Sequence, residues 1–376
     1  MKNGRTQNKN RRVLRRTAAV ILSLVLGLSR FGAPGPGFAA PGDNLPGDVD
    51  CDGVLTAADA RLAARYAAGL ETPGFDLSVA DADLDARVTE KDAMLLLKAG
   101  VGLVTPEAPP LSGEDAPDVP SKAAALFDVT ANKLLWAKGL DEPCAPASLT
   151  KLLTAVTALT LVPADEAITV GDEIGLIGYN SSVCYLQKGW MLPLRTLLTG
   201  LLCPSGNDAA YTIAVNAARY AGLSDGTDEE CVAAFVEKMN DTAAELGMRN
   251  SVFCNPDGYD AEGQHTTARD LIVLALAAIR FEAVTAACDE HVEVAFFSNG
   301  EPVSWTGTDR LLDPDDEYYE PCARGLKTGS TPEAGCCLIS LFEKDGRTLL
   351  TVTLGNETDE DRYESALALL AAAENA

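Results

Sequence analysis

Two stretches of alternating aspartates, 33 residues apart, constrain the N-terminal part of this chain more than any other feature does. The first runs Asp48-Val-Asp50-Cys-Asp52-Gly53 and continues through Thr56 to Asp59. The second runs Asp81-Ala-Asp83-Leu-Asp85-Ala86 and continues through Thr89 to Asp92. Both put side-chain oxygens at loop positions 1, 3, 5, 9 and 12, the spacing that wraps a loop around one hard cation. An apolar helical pattern follows each loop, at Ala60–Leu70 and Ala93–Val101. Calcium is therefore the expected cofactor of this region. Its ligands would be Asp48, Asp50, Asp52 and Asp59 in the first loop, and Asp81, Asp83, Asp85 and Asp92 in the second. The sixth loop position favours glycine because the backbone turns sharply there. Gly53 meets that demand and Ala86 does not, so the second loop is expected to bind more weakly.

One helix per loop, two tandem copies and Asp rather than Glu at position 12 resemble the dockerin type I module over residues 43–105. The resemblance implies a small all-α calcium module with a cohesin domain as partner. Partner choice would rest on Ala57, Ala58, Glu90 and Lys91. Residues 106–120 follow with five prolines and several acids, a composition that buries little apolar surface and makes a semi-extended linker.

Residues 1–40 hold eight Lys/Arg and no acid, an apolar run from Thr17 to Leu28, and small residues around Gly37–Ala40. That is the pattern of a cleaved export signal, and the run is short of the ~20 residues that cross a bilayer. A secreted, extracytoplasmic protein is expected. The chain carries a net charge of −25 in spite of this basic start. Such a surface repels nucleic acid and anionic lipid, so no nucleic-acid partner is expected. The ten cysteines are scattered without paired spacing, and only two histidines are present. Small core residues are the expected role for most of these thiols, and a Cys/His zinc site is poorly supported.

From residue 121 to 376 the pattern mixes strands and helices. Strand-like runs occur at Ala123–Val129, Lys133–Ala137, Gly325–Gly329, Gly335–Phe342 and Thr348–Leu354. Helical runs occur at Ser148–Leu161, Leu194–Leu202, Asp208–Tyr220, Glu229–Leu246, Thr267–Arg280 and Asp361–Ala373. Terminal strands around a helical middle predict an α+β domain built on one antiparallel sheet. Pro146-Ala-Ser148-Leu-Thr-Lys151 opens the first long helix. Residues three apart share a helical face, so Lys151 can reach the Ser148 hydroxyl. Unpaired N–H groups at a helix start favour negative charge on a serine oxygen. A lysine acting as base must first be neutral, which burial or a neighbouring cation can achieve. Two more pieces follow in order: Ser205-Gly-Asn207 between two helices, and Lys327-Thr328-Gly329 in a strand.

With SxxK, SxN and KTG in this order, residues 122–376 resemble the low-molecular-weight penicillin-binding proteins, the serine D-alanyl-D-alanine carboxypeptidases. The blocks Ser205-Gly-Asn-Asp-Ala209, Glu245–Ser251 and Gly263–Asp270 strengthen the likeness. It implies a penicillin-binding/β-lactamase-like transpeptidase domain that removes the terminal D-alanine from peptidoglycan stem peptides, and that β-lactams acylate. Ser148 would be the nucleophile and Lys151 the base. Ser205 would pass a proton to the leaving D-alanine, Asn207 would hold the substrate amide or orient Lys151, and Lys327 would keep Lys151 neutral. The main-chain N–H groups of Ser148 and Ser330 would form the oxyanion hole beside Gly329. Thr328 with Arg362, or less directly Arg310, would bind the substrate carboxylate. The resemblance implies no metal or organic cofactor for catalysis, and a cell-wall location. The alternatives are a class A-like β-lactamase, which lacks its E-x-x-L-N segment here, and an inert calcium-dependent scaffold. Neither His265 nor His291 lies beside a nucleophile motif.

Overall fold

A computed structural model describes residues 45–104, 110–111, 116–296, 300 and 302–375. The export-like segment and most of the linker lie outside the described residues. The rest divides into two compact units, with the boundary between residues 109 and 110.

The small unit is two acidic loops, each feeding a helix: α1 (Ala57–Ala67) and α2 (Glu90–Gly100). Both helices begin three residues earlier than the apolar periodicity predicts. The cause is a capping box at each start, Thr56 with Asp59 and Thr89 with Asp92. These boxes draw polar residues into the first turn, worth about 1 kcal/mol per cap. The enclosed core is small and rich in alanine, with Val49, Ala60, Ala63, Ala80, Ala93 and Leu96 at its centre. Tyr66 stacks on Phe75 with ring centroids 4.9 Å apart.

In the large unit the first hairpin, β1 (Ala123–Asp128) and β2 (Lys133–Lys138), precedes the helical middle. That middle comprises α3 (Thr150–Leu161), α4 (Leu194–Leu202), α5 (Asn207–Tyr220), α6 (Asp228–Leu246), α7 (Ala268–Ala278) and α8 (Glu282–Cys288). Three long strands close the chain before the last helix. They are β7 (Ala323–Thr331), β8 (Gly335–Lys344) and β9 (Arg347–Asn356), followed by α9 (Asp359–Ala372). The strands form one antiparallel sheet in the order β2-β1-β9-β8-β7. β1 is buried along its whole length, as an apolar run covered on both faces should be. α9 seals one face, packing Tyr363, Leu369 and Leu370 against Leu126, Leu338 and Phe342. α3 is buried from Thr150 to Ala158, with α4, α5, α6 and α7 packed around it.

The predicted single sheet is present, and two short ribbons add to it: β3 (Ala167–Thr169) with β4 (Met191–Pro193), and β5 (Val292–Phe296) with β6 (Pro302–Thr306). β3 and β4 are too short to show alternation. β5 alternates, yet it turns Val292, Val294 and Phe296 outward, against the usual apolar-in pattern. These departures leave the α+β class intact.

Candidate active site

The chain turns into α3 through Pro146 and Ala147, and Ala147 holds φ +47°. Ala147–Leu149 is a single 3₁₀ turn, with α-helical bonding starting at Thr150. Ser148 therefore sits half-buried on the helix lip. Lys151, one turn on, is fully buried and donates from Nζ to Ser148 Oγ at 2.8 Å and to the Asp257 carbonyl at 2.7 Å. Burial lowers its pKa to about 8, against the opposing charges of Asp257, Asp208 and Cys184. A buried ammonium loses its proton more readily because the low dielectric penalises the charged form.

Ser205 joins α4 to α5 and also lies at positive φ, +62°. Its carbonyl accepts from Ser182 Oγ at 2.6 Å. Asn207 donates from its amide nitrogen to Ser181 Oγ at 2.9 Å, while its Oδ1 is buried with no partner. Asp208 accepts the N–H groups of Cys184 and Leu186, both at 2.9 Å. The segment 181–186 is thereby stitched to the SxN turn. None of these partners is signalled by local sequence spacing.

From the sheet side, β7 brings Lys327 to a buried position where Nζ donates to the Thr328 carbonyl at 3.0 Å. Burial first, and then the nearby charge of Lys151, lower its pKa to about 7. Gly329 is required for close approach: a Cβ there would stand 3.0 Å from both Ala147 Cβ and Ser148 N. That contact sets the main chain at 329–330 alongside the amide of Ser148. Thr328 Oγ1 is hydrogen-bonded to Thr308 Oγ1. Arg362 is buried and donates from Nη1 to Ser330 Oγ at 3.1 Å and to the Gly329 carbonyl at 3.3 Å; its Nε has no partner.

The Arg310 guanidinium is bonded to Asp316 at 2.7 Å, Asp359 at 3.2 Å and Glu317 at 3.4 Å, and it lies over the Tyr318 ring. Carboxylates of its own fold surround it, and one of them, Asp359, also pairs with Arg362.

Ser148, Asn207 and Ser330 face one cleft of about 460 Å³, walled by Tyr179, Ser182 and the turn Asp257–Asp260. Lys151, Ser205 and Lys327 stand behind that lining. A cavity of about 550 Å³ lies by Leu159, Arg195, Arg280 and Glu293, and holds none of the motif residues. Chemistry needs a nucleophile and a base in reach of one another. The smaller cleft has them.

In the small unit, Asp48, Asp50 and Asp52 bring one oxygen each within 4.8 Å of one another, and Asp81, Asp83 and Asp85 do the same. Asp50 Oδ1 and Asp83 Oδ1 are buried without partners, an arrangement that fits a cation. Asp83 also pairs with Lys91. The twelfth-position residues also cap the helices. Asp59 accepts from Val49 N and Thr56 N at 2.9 and 2.7 Å, and Asp92 from Ala82 N and Thr89 N at 2.9 and 2.8 Å. Both stand outside the two triads, as capping residues. Gly53 has φ +82° and Ala86 φ +67°, so the sixth position does require a left-handed backbone in both loops.

Residues 111–358 match the sequence profile of the D-alanyl-D-alanine carboxypeptidase family, and residues 46–99 that of the dockerin type I domain. D-alanyl-D-alanine carboxypeptidase DacF of Bacillus subtilis is 28% identical over 254 residues, covering 66% of this chain and 61% of that protein. D-alanyl-D-alanine carboxypeptidase DacC of Escherichia coli is 31% identical over 265 residues, covering 68% and 62%. The chain thus spans about three fifths of the length of these relatives. Among solved structures, the Streptomyces K15 DD-transpeptidase superposes with a TM-score of 0.63 at 27% identity, covering 69% of this chain and 99% of that one. Penicillin-binding protein 6B from Escherichia coli gives 0.61 at 30% identity, covering 71% and 81%.

Proposed function

The chain belongs to the D-alanyl-D-alanine carboxypeptidase family, and from that premise we propose that its large unit removes the terminal D-alanine from peptidoglycan stem peptides through an acyl-enzyme on Ser148. The observation that carries the reading is the 2.8 Å contact between Ser148 Oγ and a fully buried Lys151. Lys151 takes the hydroxyl proton as Oγ bonds to the carbonyl carbon between the two D-alanines. The main-chain N–H groups of Ser148 and Ser330 receive the oxyanion; the close seat of Gly329 against Ser148 N supports this. Ser205 hands a proton to the departing D-alanine, and Asn207 Oδ1, which has no partner among the described residues, accepts the substrate amide. Lys327 disfavours a second positive charge at Lys151. Arg362 and Thr328 hold the terminal carboxylate. Water then releases the acyl group.

The small unit serves location in this reading. Calcium would be held by Asp48, Asp50 and Asp52 and by Asp81, Asp83 and Asp85, where it would neutralise the gathered carboxylates and order both loops. A cohesin domain is the partner that a dockerin-like module would take. An export signal in residues 1–40 would send the protein out of the cytoplasm to the cell wall.

A fluorescent penicillin tests the enzyme. Wild-type protein should be labelled at Ser148, with the adduct turning over slowly, and should release D-alanine from a peptide ending in D-alanyl-D-alanine. Ser148→Ala should lose both activities while keeping its circular dichroism spectrum. Label retained on another residue overturns the assignment. Rapid adduct turnover points to a β-lactamase, and no label on the wild type points to an inert fold.

A further inference from the structure

The turn Asn255-Pro-Asp-Gly-Tyr259 has no role in the scheme above, yet it braces the nucleophile's helix at three points. Thr154 Oγ1 donates to the Pro256 carbonyl at 2.6 Å, and Lys151 Nζ to the Asp257 carbonyl at 2.7 Å. Gly258, at φ +83°, lies so near that a Cβ would fall 1.8 Å from the Ala147 carbonyl oxygen. Positions 147, 151 and 154 line one helical face. The turn is rigid in itself: Asn255 accepts from Gly258 N and donates to the Tyr259 carbonyl, both at 2.7 Å.

Asp257 is 1% exposed and lines the cleft with Ser148. One carboxylate oxygen accepts from Tyr259 N at 3.2 Å, and the other is buried with no partner. An anion enclosed in this way is costly unless a charge faces it. Lys151 faces it. The other titratable groups around this pair are Asp208 and Tyr211 on α5, Cys184 from the segment stitched to α5, and Lys327 on β7. Asp208 has both oxygens taken by main-chain N–H groups. Asp257 alone of the two acids keeps an oxygen free.

We propose that Asp257 is the charge partner of Lys151: its carbonyl positions the amine, and its carboxylate balances the charge Lys151 gains on taking the Ser148 proton. The inference rests on Lys151 acting as the base. As Oγ bonds to the substrate carbonyl carbon, the proton moves from Oγ to Nζ and creates an ammonium in a buried site. The C–N bond then breaks, and the leaving amine takes a proton in its turn. A fixed carboxylate on the residue whose carbonyl holds Nζ stabilises the charged stage more than the neutral one, and so lowers the barrier between them.

The test is the rate of Ser148 acylation by a fluorescent penicillin from about pH 5 to about pH 10, comparing wild type with Asp257→Asn. The substitution keeps the size and the main-chain carbonyl and removes the charge. The plateau should fall about tenfold, because charge stabilisation is lost. The acid limb should move down by roughly half to one pH unit, because a buried lysine without a nearby anion sheds its proton more readily. Asp257→Glu should return the limb toward its wild-type position. A lower plateau with an unmoved limb means that Asp257 only shapes the turn, and overturns the proposal. If Asp257→Asn does not fold, Asp257→Ser retains an acceptor for the Tyr259 amide and carries the same measurement. A wild-type enzyme unlabelled at Ser148 is a separate result, and refutes the reading of the site itself.

Discussion

In the small unit six aspartates crowd into two clusters beside an alanine-lined core, whereas the large unit encloses Lys151, Lys327 and Arg362 among apolar side chains. The same physics leads to different outcomes. Burial can relieve a lysine of its charge, and here it lowers the pKa of Lys151 to about 8 and of Lys327 to about 7. The low pKa of Lys151 suits the role proposed for it, since a neutral amine is a base. Grouped aspartates repel one another, and a cation from outside would relieve the partly exposed clusters. One unit has its cations built in, and the other, in the function proposed above, would borrow one.

The largest expected effect comes from making a buried cation permanent. Lys151→Arg keeps the charge and the length but cannot surrender its proton. Acylation of Ser148 by penicillin should fall by about 10² to 10⁴, the usual contribution of a general base. Near-normal labelling would show that another group activates the serine, and the contrast between the units would lose its functional side. A chelator probes the other side. Full-length protein freed of calcium should lose helical signal equivalent to α1 and α2 and become open to proteolysis within residues 46–99, while acylation stays within about twofold. Unchanged circular dichroism and protection would mean that the clusters are only an acidic surface. The smallest effect sharpens the comparison inside the small unit. Ala86 holds φ +67° where its counterpart is glycine, a strain of about 1 kcal/mol. Ala86→Gly should bring calcium affinity at the second loop closer to that of the first, by about fivefold in isothermal titration. Equal affinities before the substitution would remove strain as the reason for the difference.

Sequence alone carried the catalytic motifs because each is local. Ser148 and Lys151 share a helical face, Ser205 and Asn207 share a turn, and Lys327 to Ser330 share a strand, so spacing fixes geometry. The partners that tune them come from elsewhere in the chain. Ser181, Ser182 and Asp257 reach the site only through tertiary packing, and an Asn-Pro-Asp-Gly stretch reads locally as no more than a turn. The acidic partners of Arg310, namely Asp316, Glu317 and Asp359, are likewise brought to it by the fold. In the small unit, Asp59 and Asp92 had two plausible roles at one position, loop ligand and third residue of a capping box. Periodicity could not choose between them, and it also set both helix starts a turn late.

Ala147 and Ser205 flank the cleft with left-handed backbones, at φ +47° and +62°. Glycine would relax either position by about 1 kcal/mol. A laboratory selection for survival at high temperature would therefore tend to accept glycine at both. At position 147 it would remove the methyl group on which Gly329 rests, and at position 205 it would delete the hydroxyl proposed above to serve the leaving group. Thermal endurance and turnover pull in opposite directions at these two residues, so the hardiest descendants of this chain should be among its poorest catalysts.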